Sequence, residues 1–402
     1  MDRDCAGPSL SRRAVLGTAG ALFAWAHMPR IALAAGNRDA RFICIVLRGG
    51  MDGLAVVGPV GDPDYAGLHG DLALRLDGPA PALPLDGFFA LNPFMPETAR
   101  LYRAGQVAVV HAAATNYRDR SHFDAQDVLE SGQPAPGLVR SGWLNRALAG
   151  LAVGERVNPA GRMLGVGAVP PLIVRGPQPV LGWAPARLGA PDPELIGRLE
   201  RLYAGRDPRL LAALQEGARV EGIASIPAPK KGETRLPEVE MADGVARLMV
   251  ADDGPRIAAL AIDGWDSHSD AASLLRRRLS GLDAAFATFE AGFGDKWKDT
   301  AILVVTEFGR TARINGTRGT DHGNGTVAFL VGGAVRGSRV IADWPGLSET
   351  ALLDGRDLRP TTDVRALAKG LLADLYGASD GMLAETVFPG SRDVAPMSGL
   401  VV

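Results

Sequence analysis

Carboxylate and imidazole side chains stand together where buried strands are predicted to end. Three of the six histidines, His122, His268 and His322, stand beside carboxylates in these loops. Carboxylate and imidazole donors together are what a Zn²⁺ or Mn²⁺ site requires, and two cysteines are too few for a structural site made of thiolates. The sequence therefore predicts a divalent metal centre of one or two ions, zinc or manganese. The predicted ligands are Asp52, Asp266, His268, Glu307, Asp321 and His322.

Each of these residues also has an ordinary structural interpretation. Asp52, between glycines, could be a turn residue, and Asp266 with His268 could cap the following helix. Glu307 with Arg310 could form a buried ion pair. A hydrogen-bonded pair in a glycine-rich loop would explain Asp321 and His322. The joint placement of all these residues at strand ends is what favours the metal centre.

The usual signatures of several other chemistries are missing from the sequence. The chain has no phosphate-binding G-x-x-x-x-G-K-[ST] loop, no G-x-S-x-G elbow and no H-E-x-x-H pair. The segment Gly165–Gly167 lacks the third glycine of a dinucleotide-binding turn. Lys and Arg total 43 against 45 Asp and Glu, a formal net charge of −2. This balance argues against a dedicated nucleic-acid-binding protein.

The elements that position these residues alternate between strands and helices. Continuous apolar runs predict buried strands, and periodic segments between them predict helices. The predicted fold is therefore α/β, a mainly parallel central sheet covered by helices on both faces, with sites at the carboxyl ends of its strands. Residues 58–93 are expected to form a surface excursion, and about 150–250 a cap or insertion. Strands are expected at 41–47, 107–112, 256–262, 301–306 and 325–331, and helices at 96–104, from 121, and at 194–204, 208–219, 270–293 and 363–376.

The first 34 residues have the pattern of an export signal. Arg12 and Arg13 form a twin-arginine motif, an apolar run follows, and Ala32-Leu33-Ala34 is a small-residue cleavage site. The alternative, a membrane anchor, is disfavoured because the run is short for a span. We expect residues 1–34 to be removed and 35–402 to form one domain without a stable membrane span. The expected location is periplasmic or secreted in a bacterium, with the twin-arginine translocase as partner during export.

Several motifs in the same order resemble one family of exported bacterial proteins. They are the twin-arginine leader, Leu47–Gly53 (LRGGMDG), Ser121–Gln126 (SHFDAQ), Gly142–Arg146 (GWLNR), Thr306–Arg310 (TEFGR) and Asp321–Gly323 (DHG). Together they resemble domain of unknown function 1501 over essentially the whole mature chain. The resemblance implies membership of the alkaline-phosphatase-like superfamily, with an α/β/α sandwich of three layers and a two-metal hydrolytic site.

The superfamily pattern carries over to this sequence only in part. It implies that Asp52 binds one metal, that Asp266 and His268 bind the other, and that His322 completes the second site. Ser121 is the nearest hydroxyl to the place of the nucleophile, and Thr115 is a second choice. Where the pattern has an Asp-His pair this chain has Glu307-Phe308, so one histidine ligand is missing. The sulfatase signature is also missing, which disfavours sulfate-ester hydrolysis through a formylglycine.

These observations predict an exported metal-dependent hydrolase of phosphate or related esters. Ser121 and Arg310 are the predicted catalytic residues. Arg48, Arg120 and His122 are expected to bind the substrate, a small-molecule or envelope ester, because guanidinium groups suit phosphate. The alternative is a non-catalytic exported protein with a degenerate site that binds a partner or an envelope glycan. Phosphomutase-like transfer is a third and weaker alternative.

Overall fold

The computed structural model describes residues 38–151, 163–185, 193–224 and 235–402. The predicted signal segment, residues 1–34, lies outside the described residues. In the described part, apolar runs form strands and amphipathic segments form helices, close to the boundaries that the sequence predicts. The strands are β1 Arg41–Leu47, β2 Val57–Gly58, β3 Leu83–Pro84, β4 Ala90–Leu91, β5 Val107–Ala114, β6 Met163–Val166, β7 Val180–Trp183, β8 Ile257–Ile262, β9 Thr300–Thr306, β10 Thr326–Val331, β11 Arg339–Ile341 and β12 Thr362–Asp363.

The helices lie between the strands, as an α/β arrangement requires. They are α1 Gly53–Val56, α2 Tyr65–His69, α3 Pro96–Arg103, α4 His122–Ser131, α5 Trp143–Gly150, α6 Pro193–Ala204, α7 Pro208–Ala224, α8 Pro237–Val250, α9 Ala271–Phe293, α10 Val364–Tyr376 and α11 Asp380–Met382. Short 3₁₀ turns occur at Gly70–Leu72, Leu172–Val174 and Gly294–Asp299, and a π turn at Leu383–Val387.

Nine of the described strands form one central sheet in the order β11-β5-β10-β9-β1-β8-β6-β7, with β12 beside β5. Strand β1 pairs in parallel with β8 and β9, and β6 pairs in parallel with β7 and β8. Only β10, within this sheet of described strands, runs antiparallel to its neighbours β5 and β9. The prediction of a mainly parallel central sheet is confirmed.

Both faces of the sheet are buried under helices. Successive side chains of a strand point to opposite faces, so Ile43 and Ile45 of β1 pack on one side and Phe42 and Cys44 on the other. The first face contacts apolar side chains of α8 and α9, and the second face those of α5 and α10. The result is the three-layer α/β/α arrangement that the sequence predicts.

Two predicted segments are more closely integrated than the sequence indicates. Residues 58–93 are not only a surface excursion, because Tyr65 and His69 of α2 are buried and β2, β4 and β3 form a small sheet. The 150–250 region is not only a cap or insertion. Its strands β6 and β7 extend the central sheet, and α8 packs into the core. Both strands are only four residues long, too short to show a clear sequence pattern.

Candidate metal centre

Three separate loops meet at one edge of the central sheet, where β1, β5, β8 and β9 end. His122 begins α4 after β5, Asp266 and His268 follow β8, and His322 precedes β10. His322 reaches this edge because β10 runs antiparallel, so that its first residues lie beside the last residues of its neighbours. One donor atom from each of His122, Asp266 and His322 lies within 4.8 Å of the others.

The distances between donor atoms fit a shared ion. Asp266 Oδ2 lies 3.6 Å from His122 Nε2, and Asp266 Oδ1 lies 3.8 Å from His322 Nε2. His268 Nε2 lies 3.2 Å from Asp266 Oδ1 and 2.9 Å from His322 Nε2. Tetrahedral ligands with bonds of about 2.0–2.1 Å stand about 3.3 Å apart. The observed distances lie on both sides of this value, and His268 lies beside the group of three donors without belonging to it.

Each of the three imidazoles forms a hydrogen bond between its Nδ1 atom and an acceptor oxygen. A carboxylate or a backbone carbonyl cannot donate, so each Nδ1 carries the hydrogen and each Nε2 keeps a lone pair. This outer contact is the usual way in which proteins orient histidine ligands. The contacts are His122 to Glu307 at 2.9 Å, His268 to Asp321 at 3.0 Å, and His322 to the carbonyl of Arg120 at 2.9 Å.

Two further observations show that these side chains fit a divalent ion. His122 Nε2 is buried and has no hydrogen-bond partner in the described part of the chain. A buried nitrogen without a partner costs free energy, which a bound ion would offset. Burial lowers the pKa of His322 below its ordinary value, with help from the charge of Arg310. The imidazole is therefore kept neutral, which is the form that binds metals.

Arg310 holds the carboxylate of the centre in place. Its guanidinium is buried and donates to Asp266 Oδ1 at 2.6 Å and to the carbonyls of Gly50 at 2.6 Å, Thr320 at 3.2 Å and Gly49. Burial alone would raise the pKa of Asp266, but the hydrogen bond and charge of Arg310 lower it below its ordinary value. Asp266 is therefore ionised. Arg310, a predicted catalytic residue, pairs with Asp266 rather than with Glu307.

Glu307 lies behind His122 and is surrounded by donors. Its Oε1 atom accepts from Gly49 N at 2.8 Å, His122 Nδ1 at 2.9 Å and Gln126 Nε2 at 3.0 Å. Burial would raise the pKa of Glu307, but its hydrogen bonds lower it. The structure thus places this predicted ligand in contact with His122, outside the closest group of donors. Asp321 has the corresponding position behind His268.

One face of α4 carries the contacts that fix His122. His122, Gln126 and Glu130 are spaced four residues apart, so they lie along the same side of the helix. Gln126 contacts Glu307, and Glu130 Oε1 accepts from Arg48 at 2.5 Å. The sequence predicts His122 as a substrate-binding residue, whereas the structure groups it with the metal donors. The H-x₃-Q-x₃-E spacing is the signal that could have identified it.

Phe308 stands where the resemblance leads one to expect a histidine ligand. Its ring is buried and packs against His122 and His322, with centroid distances of 4.8 and 4.9 Å. His122, at the start of α4, places an imidazole beside this ring. Phe308 forms an apolar wall against the two rings.

The arginines predicted to clamp an anion are paired within the protein. Arg48 contacts Glu130 through two nitrogens, and Arg120 donates to Asp357 Oδ2 at 2.9 Å. The backbone of Arg120 has a φ of 61°. This conformation turns its carbonyl to His322 Nδ1. Arg120 therefore acts on the centre through its backbone, while its side chain is held elsewhere.

The two candidate nucleophiles lie outside the group of donors. Ser121 is the N-cap residue of α4, yet its side chain makes no capping hydrogen bond and faces Tyr117. Thr115 is buried, and its Oγ1 accepts from Tyr117 N at 3.3 Å. Asp52 is also outside the group of donors, and it is buried and hydrogen bonded to Thr320. The nucleophilic role of Ser121 stays a prediction.

The fold and site define an α/β protein with a His/Asp donor group at the carboxyl edge of a mainly parallel sheet. The family model described as protein of unknown function (DUF1501) matches residues 103–385. The match spans more than half of the 402 residues, and the chain belongs to this family. No curated protein matches the chain.

Solved structures with low sequence identity show distant likeness to the chain. The zinc complex of the C-terminal periplasmic domain of EcEptC from Escherichia coli is 9% identical, covering 74% of each chain, with a TM-score of 0.36. Alkaline phosphatase from the Antarctic bacterium TAB5 is 11% identical, covering 76% of this chain and 94% of its own, with a TM-score of 0.35. The lipoteichoic acid synthase LtaP from Listeria monocytogenes is 7% identical, covering 88% and 76%, with a TM-score of 0.39. Likeness at this level assigns no activity to the chain.

None of the helices in the described parts of the chain is both long and apolar enough to cross a bilayer.

Proposed function

We propose that this protein is an exported metal-dependent hydrolase of phosphate or related esters. The observation that carries the proposal is the convergence of His122, Asp266 and His322, with His268 beside them. Three imidazoles and one carboxylate favour Zn²⁺ or another transition ion over Mg²⁺ and Ca²⁺, which prefer oxygen donors. Membership of the alkaline-phosphatase-like superfamily and export to the periplasm or cell exterior by the twin-arginine translocase are parts of the same proposal.

The side chains of the centre divide between holding an ion and fixing its ligands. His122, His268 and His322 bind through Nε2, and Asp266 binds through its carboxylate. When bound, a divalent ion supplies Lewis-acid activation of a water molecule and of the ester oxygen. Arg310 keeps Asp266 ionised and in place, and Glu307 keeps His122 in the tautomer that leaves Nε2 free.

The charges around the site limit the kind of ester that it can hold. Asp266, Glu307 and Asp321 are each kept ionised by a lowered pKa, and the buried cation Arg310 pairs with only one of them, Asp266. Arg48 and Arg120 are paired with carboxylates. The positive charge that attracts an anionic ester therefore comes mainly from the ion, which favours substrates of low negative charge, such as phosphodiesters, over phosphate monoesters.

Hydrolysis and metal content test the proposal together. The purified protein, loaded with Zn²⁺ or Mn²⁺, would be assayed with p-nitrophenyl esters of phosphate, phosphonate and sulfate. The phosphodiester substrate would be bis(p-nitrophenyl) phosphate. We expect turnover that is lost in His322→Ala and Asp266→Ala together with the metal. Asp263→Asn, a change at an exposed carboxylate three residues from Asp266, is the matched control and should retain both. Metal binding without hydrolysis of any of these esters would contradict the enzymatic function.

The second candidate is a non-catalytic protein with a metal-binding site. The observation that favours it is the pairing of Arg48, Arg120 and Arg310 with internal carboxylates, which leaves none of them as an open anion clamp. Under this alternative, removing the ion would unfold the protein or weaken partner binding without changing any hydrolytic rate.

A further inference from the structure

Asp52 follows β1 as the N-cap residue of α1, is buried, and is linked to the loops of the candidate metal centre through Thr320. Both oxygens of its carboxylate already face groups of the chain. Oδ1 accepts from Ala55 N at 3.1 Å, and Oδ2 accepts from Thr320 Oγ1 at 2.9 Å. His69, which is fully buried, places Nε2 3.5 Å from Oδ1 and holds the carbonyl of Ala312 through Nδ1. Asp52 is thus held by two hydrogen bonds and is itself 1% exposed, whereas His69 Nε2 has no hydrogen-bond partner in the described part of the chain.

Thr320 connects Asp52 to the two loops that carry three of the donors. Its backbone N–H donates to the carbonyl of Ser267 at 2.9 Å, and its hydroxyl lies 3.2 Å from Ser267 Oγ. Ser267 stands between Asp266 and His268, and Thr320 precedes His322 by two residues. A shift of Thr320 would therefore change the distances between donors on both loops.

The donors in the described part of the chain account for one ion. The single group of three or more His, Cys, Asp or Glu donors found among these residues is His122, Asp266 and His322, which does not include Asp52. Asp52 and His69 on their own offer two donors, fewer than the three protein ligands that a catalytic zinc normally has.

We propose that the centre holds one metal ion and that Asp52 is a positioning residue rather than a ligand. The proposal rests on the proposed metal-dependent function of the same site. It differs from what the family resemblance implies, namely a two-metal site in which Asp52 binds an ion. In this structure Asp52 holds Thr320, and Thr320 holds the two loops at the spacing that the ion requires.

Two substitutions separate a positioning residue from a ligand. Asp52→Asn keeps an oxygen for Ala55 N–H, and its new amide can donate to the Thr320 hydroxyl, which can then donate to Ser267. If Asp52 is a positioning residue, zinc binding should be kept in this variant. If Asp52 is a ligand, the variant lacks the negative charge that binds the ion. Thr320→Val has the opposite effect, because it leaves the Asp52 carboxylate intact and removes the hydroxyl that holds the loops. Thr320→Ser retains the hydroxyl and is the matched control.

The experiment measures zinc content by elemental analysis and zinc affinity by competition with a chromogenic chelator. Wild type, Asp52→Asn, Thr320→Val, Thr320→Ser and Asp266→Ala would be compared, with circular dichroism to confirm folding. We expect one zinc per wild-type chain. Asp52→Asn and Thr320→Ser should bind within about threefold of wild type. Thr320→Val should bind about 10–100-fold more weakly, the usual loss for an outer contact.

The opposite results overturn the proposal. Two zinc ions per chain, or an Asp52→Asn protein that loses zinc as completely as Asp266→Ala, would make Asp52 a ligand. Wild-type affinity in Thr320→Val would remove the positioning role. If Thr320→Val does not fold, the comparison of Asp52→Asn with Asp266→Ala still decides whether Asp52 is a ligand. A wild-type protein that binds one zinc but hydrolyses no ester would refute the proposed function alone, and one that binds no zinc would refute both.

Discussion

Glu307 provides a quantitative test of how the centre is built. Its Oε1 atom accepts from Gly49 N, His122 Nδ1 and Gln126 Nε2, and the residue is 1% exposed. Glu307→Ala leaves the buried Gly49 N–H without an acceptor and takes an acceptor from two other donors. Each unsatisfied buried donor costs about 1–3 kcal/mol. Because the other two donors can partly recover water, we expect a total destabilisation of roughly 3–5 kcal/mol.

Glu307→Gln separates this structural cost from the effect on the ion. The Gln oxygen can accept the same three hydrogen bonds, and its NH₂ group would face the Thr306 hydroxyl, which can accept. Stability should therefore fall by about 1 kcal/mol or less. The variant lacks the negative charge that makes His122 a stronger donor, so zinc affinity should fall about 10–100-fold.

Two assays on the same protein samples separate the effect of Glu307 on stability from its effect on zinc affinity. Urea unfolding of the metal-free proteins gives the change in the free energy of unfolding, and chelator competition gives the zinc affinity. Glu349→Gln, at an exposed position, is the matched control and should change neither. Wild-type zinc affinity in Glu307→Gln, together with strong destabilisation in Glu307→Ala, would show that Glu307 serves only as a hydrogen-bond acceptor. Its charge would then not strengthen His122 as a metal ligand.

Three other predictions concern the nucleophile, the ion and pH. Ser121→Ala should keep zinc affinity within about threefold of wild type, as measured by chelator competition. His122→Ala should lower zinc affinity by more than the roughly 10–100-fold that is typical when an outer contact is lost. Equal losses of affinity in the two variants would contradict the assignment of His122 as a ligand. Chelation should lower the melting temperature and added zinc restore it, because an ion at 1,000 times its dissociation constant stabilises by about 4 kcal/mol; an unchanged melting temperature would count against a bound ion. Burial lowers the pKa of His111 to about 4 from 6.5. The folded state then binds fewer protons than the unfolded state between these values, so the free energy of unfolding should fall as pH falls through this window, by up to about 1.4 kcal/mol per pH unit. Urea unfolding of wild type and His111→Gln at pH 7 and pH 5 should show a smaller fall in the variant, and equal falls would refute the assignment.

Most of the central sheet could be predicted because its strands are buried on both faces. A strand of this kind must be apolar at nearly every position, so β1 and β9 stand out as continuous apolar runs. Strands β6 and β7 could not be found in this way, because each has four residues and their glycines interrupt the pattern. Helix α10 was predictable because its apolar residues repeat on one face.

The residues of the site could be predicted more readily than their roles. Charged and imidazole side chains at strand ends indicated where the candidate centre lies, and His268 and His322 are in contact there. Which carboxylate would pair with Arg310 could not be predicted, since Glu307 is close in sequence while Asp266 is close in space. The position of His122 depends on the orientation of α4, which is fixed by contacts with Glu307 and Arg48 from distant parts of the chain.

The sequence by itself determined the family motifs, the alternation of strands and helices, and the residue types available for a metal centre, because these depend on local composition and spacing. Only the tertiary structure decided which of these residues meet. In a wholly parallel sheet, Asp321 and His322 would precede their strand at the opposite edge. The antiparallel direction of β10 brings them to His122 and Asp266 instead. Strand direction depends on pairing between segments far apart in the chain, and no local pattern in residues 321–331 specifies it.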